Sequence, residues 1–208
     1  MSIIEKAKTV LFNPRNGWKE FDNENVTHKQ VFLNYLLPLS LVAVVLIFLG
    51  KGLIGSRFSL WGYAGLFGMK YQILTGLNSS ILWFLAINGG AYLAAVLIDA
   101  VFAGVFGVEK NFNKTFATVA YCFTPICLLT VLFAIPFMGW MYYTLSLYAV
   151  LLMFFAQQHK LANVEIPNGK KVGYTIVSMA CLYAAFWTIY GILYVPLNVM
   201  FFRGLFYL

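Results

Sequence analysis

Asp99 is the one acidic residue that falls inside a long apolar run, and an intramembrane carboxylate is the group that carries protons or ions through transporters. Bare in hydrocarbon it costs at least about 2.5–3.5 kcal/mol on insertion scales, so it must be paired, protonated or hydrated. Asn88, Ala91, Ala95 and Asp99 recur at helical spacing and form a small, polar stripe suited to close packing against another helix. The stripe is either part of an ion or proton pathway or a polar pin between helices. The pin is favoured, because a transport pathway usually gathers more than one ionisable group within the membrane. Depth along antiparallel neighbours points to Tyr121 as the partner. Asp99 lies eight residues before Gly107 and Tyr121 seven after Lys114, which puts both roughly 10–12 Å from the same helix ends. Pro125 lacks the N–H that would bond the Tyr121 carbonyl, so a kink and an open backbone acceptor are expected at that level. Asn88, Asp99, Tyr121 and Pro125 are therefore the candidate polar cluster.

Other residue types that do chemistry are sparse. His28 and His159 sit beside Lys29 and Lys160 at span ends, where a solvated histidine is expected instead of a metal ligand. Cys122, Cys127 and Cys181 are odd in number, form no C-x-x-C pair and lie in apolar runs, which makes them small core residues. No zinc spacing, phosphate-binding loop or nucleophile elbow occurs, so neither catalysis nor a cofactor is expected.

The elements that must position these residues are written in the hydropathy. From Thr115 to Gln158 the chain runs 44 residues without Asp, Glu, Lys, Arg or His. As one straight helix that run would measure roughly 66 Å, twice a hydrocarbon core of about 30 Å, so it must fold back as a hairpin. The turn is expected at Pro136-Phe137-Met138-Gly139, with Trp140, Tyr142 and Tyr143 at headgroup level. With 62% hydrophobic and 10% charged residues, the composition is that of an integral membrane protein, all-α, not a soluble domain. Spans are expected near Val31 to Leu49, Ile81 to Phe106, Thr115 to Ile135, Gly139 to Ala156 and Val172 to Val195. These make one transmembrane domain, 31–208, behind an N-terminal segment, 1–30.

The net charge of +7 does not imply nucleic acid, since neither a basic run nor a binding motif is present. Lys and Arg number ten on the side of the N-terminus and four on the other, which orients the N-terminus to the cytoplasm and the C-terminus outside. Glu5, Lys6 and Lys8 interrupt the window where a cleavable signal would need its apolar core. Ile3, Ile4, Ala7, Val10 and Leu11 instead suggest an amphipathic helix on the cytoplasmic membrane surface. The stretch Gly50 to Ser80 is rich in aromatic and aliphatic residues with scattered glycines, and is expected to lie in the interface or re-enter the bundle. Arg57 and Lys70 argue against a sixth span there.

Asn13-Pro14 with Trp18 ahead of the first span, Phe106-Gly107 through Phe112 and Thr115, then Tyr121 and Pro125 inside the next span, form an ordered set. This set resembles the Yip-one domain family of Ypt/Rab-interacting membrane proteins across nearly the whole chain, with Asn13, Pro14, Trp18, Gly107, Tyr121 and Pro125 as the matching positions. The resemblance implies five spans and roles in trafficking and membrane shaping through Rab-type GTPases or other family members. The Asp-Leu-Tyr-Gly-Pro type motif of the longer eukaryotic members is absent, so GTPase binding does not carry over, and the chain looks like the short bacterial branch. The expected role is a non-enzymatic membrane-organising scaffold in a bacterial inner membrane, with lipids, other membrane proteins or further copies of itself as partners. Two alternatives stand beside it: a small transporter or channel using the Asp99 region, and a lipid-handling protein using the 50–80 stretch.

Overall fold

The computed structural model describes residues 2–22, 26–54, 63–106, 110–135, 138–160 and 168–202. All regular structure among them is helical. Two short helices, α1 (Ile3–Phe12) and α2 (Pro14–Asp22), precede five helices long and apolar enough to cross a membrane. These spans are His28–Ile54, Gln72–Val105, Phe112–Ala134, Gly139–Gln157 and Val172–Phe201. The protein is thus a polytopic membrane protein whose five spans fall where the apolar runs predicted, although most reach further at one or both ends.

The first span is not a uniform α-helix. Pro38 has no N–H to give, and ahead of it residues Phe32–Leu36 widen into a π turn in which Leu37 N–H reaches back to the Phe32 carbonyl. The Ser40 hydroxyl then donates to the Leu37 carbonyl. A second π segment, Phe48–Ile54, closes the span, with Gly50 and Gly52 buried in it. A Cβ on Gly76 would lie 2.5 Å from Gly52 Cα, so the first and second spans cross there backbone to backbone.

Of the two placements expected for the 50–80 stretch, the described residues from Gln72 take the one within the bundle, as part of the second span instead of a loop. Residues 55–62 lie outside the described residues, but from Tyr63 the chain is helix, continuous with the second span to Phe106. Its described part is packed into the bundle: Ser80 donates to the Val44 carbonyl and Asn78 to Asn198 of the fifth span. The scattered glycines include, at Gly76, the small residue a close helix crossing requires.

The hairpin of the third and fourth spans is present, although Pro136 and Phe137 of its turn lie outside the described residues. Helix continues through Pro125 to Leu128 and then tightens into a 3-10 turn over Leu129–Ala134, so the change of winding comes just beyond the proline. The fourth span breaks at Leu147 between Gly139–Ser146 and Tyr148–Lys160. There Val150 N–H bonds the Leu147 carbonyl, one residue short of the α pattern, and the Ser146 carbonyl accepts from the Tyr183 hydroxyl instead. The core between the spans is aromatic, with Trp83 edge-on to Tyr142 and Phe133, and Phe123, Leu36, Ile87 and Leu182 fully buried.

Candidate functional site

The family-like positions near the N-terminus build a docking unit. Ser2 caps α1, its hydroxyl accepting from Glu5 N–H while the Glu5 carboxylate accepts from Ser2 N–H. Those bonds, the backbone one first, hold the Glu5 carboxyl below its usual range. Asn13 ends α1 with its N–H on the Thr9 carbonyl, and Pro14 opens α2 at the position where a missing N–H costs nothing. The corner is tight: a Cβ on Gly17 would come within 2.8 Å of Thr9 Cγ2.

The corner aims Trp18 and Phe21 at the third span. Phe21 stacks on Tyr121 with centroids 4.5 Å apart, and Trp18 meets the same ring edge-on at 5.9 Å. Tyr35 of the first span approaches Tyr121 from another side at 4.9 Å. Two of the matching positions, Trp18 and Tyr121, are therefore in direct contact although 103 residues separate them. Tyr148 ties the other end of the unit, its hydroxyl donating to the Leu11 carbonyl at 2.7 Å.

Pro125 acts through its neighbour. The Tyr121 carbonyl that it leaves without a backbone donor accepts from the Thr124 hydroxyl at 2.6 Å. That hydroxyl has one proton, already given, so the 2.6 Å contact between Tyr35 and Thr124 has Tyr35 as donor. The open acceptor expected from Pro125 is thus filled within the same helix, and a relay from Tyr35 through Thr124 to Tyr121 joins the first and third spans. Sequence reasoning missed Tyr35 and Thr124, although a threonine directly before a proline is a usable signal for capture of the freed carbonyl.

Asp99 is not Tyr121's partner. Its Oδ1 accepts from Asn111 N–H at 3.1 Å and from the Thr115 hydroxyl at 3.2 Å. Both donors belong to the first turn of the third span, where Asn111 Oδ1 also accepts from Lys114 N–H. Thr115 stands six residues ahead of Tyr121, so the depth argument placed the partner about 9 Å too far along the helix. The second span continues seven residues past Asp99 to Phe106, and the third begins back at the level of Asp99. A half-buried carboxylate at a helix N-terminus meets unpaired N–H groups and the positive end of the macrodipole.

Ala91 and Ala95 are fully buried and Asn88 nearly so, its amide donating to Ser40 Oγ at 3.0 Å and to the Phe84 carbonyl. Asn88, Asp99 and Tyr121 thus lie in three separate contacts, not in one cluster. Gly107 lies outside the described residues. His28 Nδ1 and N–H both reach Asn113 Oδ1, and its ring packs on Phe112. No group of side chains able to hold a metal ion occurs among the described residues. Cys122 and Cys127 are free and buried in the core.

Neither a curated protein nor a solved structure matches the chain. A family model does: that of the Yip1 domain, over residues 8–192. The match takes in the Asn13-Pro14 corner, Trp18, Tyr121 and Pro125, which the fold joins into one contact system, and the chain belongs to the Yip1 domain family.

Proposed function

We propose that the protein is a non-enzymatic membrane-organising scaffold, seated in a bacterial cytoplasmic membrane with its N-terminus inside. The observation that carries this reading is the placement of Asp99. The carboxylate on which a transporter would depend is engaged with the end of the third span and stands apart from the Asn88 and Tyr121 contacts. Buried polar groups serve as pins between spans: Asn88 to Ser40, Gln157 to Ser178 and Tyr35 to Thr124. Such bonds contribute about 0.6 kcal/mol on average between membrane helices and fix which faces meet. The N-terminal helices add a second layer on the third and fourth spans and widen one half of the molecule. A body broader in one leaflet presses lipids apart unequally, and its partners are lipids, further copies or other membrane proteins.

Two measurements on reconstituted protein test this. Liposomes loaded with a pH-sensitive dye should show no flux above protein-free vesicles under a pH gradient, and giant vesicles should deform as protein density rises. Flux that vanishes in Asp99→Asn would establish the transporter instead. Vesicles that stay spherical at every density would remove the organising role.

A further inference from the structure

We propose that the aromatic cavity between the second, fourth and fifth spans binds one membrane-dissolved ring that carries an acceptor oxygen, of the benzoquinone type, with its chain emerging into lipid. This goes beyond the scaffold reading, which needs no ligand. The cavity holds about 110 Å³, and its walls include Trp83, Tyr142, Leu147, Tyr183, Phe186 and Trp187. It lies at the break in the fourth span, where the Ser146 carbonyl, also in the wall, accepts from the Tyr183 hydroxyl. The rings stand as walls and not as one stack: Trp83 meets Tyr142 edge-on with centroids 5.3 Å apart, and Trp187 meets Phe186 edge-on at 5.5 Å. The space is of the order of the roughly 150 Å³ that accepts benzene in an apolar core.

Two features of the walls select the occupant. Tyr142 is only 4% exposed and lines the cavity, and its hydroxyl has no hydrogen-bond partner among the described residues. The indole N–H of Trp83, buried in the same wall, is likewise unbonded there. A hydroxyl so enclosed is costly without a partner, and this wall is short of acceptors, not of donors. The second feature is the lack of charge. The lining residues belong to 71–98, 115–158 and 172–202, stretches of sequence without Asp, Glu, Lys, Arg or His. An ion would find no counter-charge in those walls, whereas a neutral ring gains edge and face contacts from them. Depth sets its orientation. Gly139 begins the fourth span, and Tyr142 and Leu147 lie roughly 5 and 12 Å along the helix from it. Leu147 and Trp187 are about half exposed on spans that face lipid. A molecule entering from the bilayer therefore turns its oxygen toward the span end and leaves its chain deeper, whereas a plain hydrocarbon chain would leave Tyr142 unanswered.

The test uses the full chain in phosphatidylcholine nanodiscs and an azido derivative of decylbenzoquinone that couples on illumination. Peptide mapping should place adducts on the segments around Tyr142 to Leu147 and Leu182 to Trp187. Labelling should saturate and be displaced by decylbenzoquinone, but not by equal decylbenzene, which has the ring and chain without the oxygens. Tyr142→Phe should weaken binding about fivefold, the worth of one hydrogen bond. Leu147→Trp, which closes the mouth on the lipid side, should abolish labelling there, whereas Leu151→Trp, similarly exposed one turn further on, should not. Tyr142→Phe keeps the ring packing and decides the matter should Leu147→Trp lose the folded state. Adducts spread evenly over lipid-facing residues would overturn the proposal, because the ester carbonyls of the nanodisc lipids would then serve the site as well. Displacement by decylbenzene as strong as by the quinone, or undiminished binding in Tyr142→Phe, would leave a plain apolar void and also overturn it. The flux and vesicle measurements contain no quinone, so the scaffold reading and this one fail separately.

Discussion

Single side chains in this protein join helices by completing hydrogen bonds that one helix alone leaves open. Asp99 shows this at a helix start: Asn111, the N-cap of the third span, gives its N–H to the carboxylate of the neighbouring span. Asp99→Asn keeps an acceptor oxygen and loses only charge, so its thermal stability in detergent should fall by about 0.3–1 kcal/mol, the scale of a dipole interaction. Asp99→Leu strands both donors and should cost about 1–3 kcal/mol. Equal losses in the two variants would show that the charge, not the bonding pattern, holds the contact. Thr124 does the same for the carbonyl that Pro125 leaves open. Thr124→Val removes the acceptor of Tyr35 and the donor to Tyr121 in one step, and should lower stability by about 1–2 kcal/mol. Tyr35→Phe removes only the outer bond and should cost less than half as much; a Tyr35→Phe loss as large as that of Thr124→Val would sink the relay. Asp99 was legible in the sequence as a residue needing a partner. Its partner was not, because the return level of the third span depends on residues between Phe106 and Asn111 whose path no hydropathy pattern encodes.

Whole elements meet where a small residue lets backbones touch. At the Gly52–Gly76 crossing even a methyl group has no room, so Gly76→Ala should destabilise the folded protein by about 1–3 kcal/mol, as overpacking does. Gly104→Ala and Gly191→Ala meet no atom within 4 Å and should leave thermal stability in detergent unchanged or slightly raised. Should Gly76→Ala match those controls, the crossing is looser than described. Composition left the 50–80 stretch between the interface and the bundle, because glycine marks turns in water but contact between membrane helices, and only the Gly52–Gly76 crossing decides for the second. Helix α1 was legible from its apolar spacing, and its cap adds a pH dependence. Ser2 holds the Glu5 carboxyl low, so the stabilisation is present above the unfolded value of about 4.3 and is lost as pH falls through the depressed folded value. A spin label at exposed Phe12 should therefore gain mobility only at pH well below 4.3, and Glu5→Gln should show that mobility at neutral pH. Mobility that changes nearer pH 6.5 would point to a histidine instead.

At the scale of the molecule, the five spans could be read before any coordinates because the bilayer imposes a length and a polarity that few alternatives satisfy. The packing of α1 and α2 onto the bundle could not, since Trp18 and Tyr121 lie 103 residues apart and nothing local to either announces the other. The orientation we propose rests on a third property, the distribution of charge. Ten Lys and Arg flank the spans on the side of the N-terminus and four on the other. By the charge rule the basic excess is expected to hold the N-terminal side in the cytoplasm, and five spans would then put the other chain end outside. On that reading Asn168, which opens the helix of the fifth span, is expected on the basic side and position 208 on the other. Single cysteines at these two positions, in a background with Cys122, Cys127 and Cys181 replaced by Ala, should react differently with a membrane-impermeant maleimide. Leu208→Cys should label in intact cells, and Asn168→Cys only after permeabilisation. The reverse pattern would place the N-terminus outside against the charge rule, and labelling of both sites in intact cells would mean that the fifth helix does not cross.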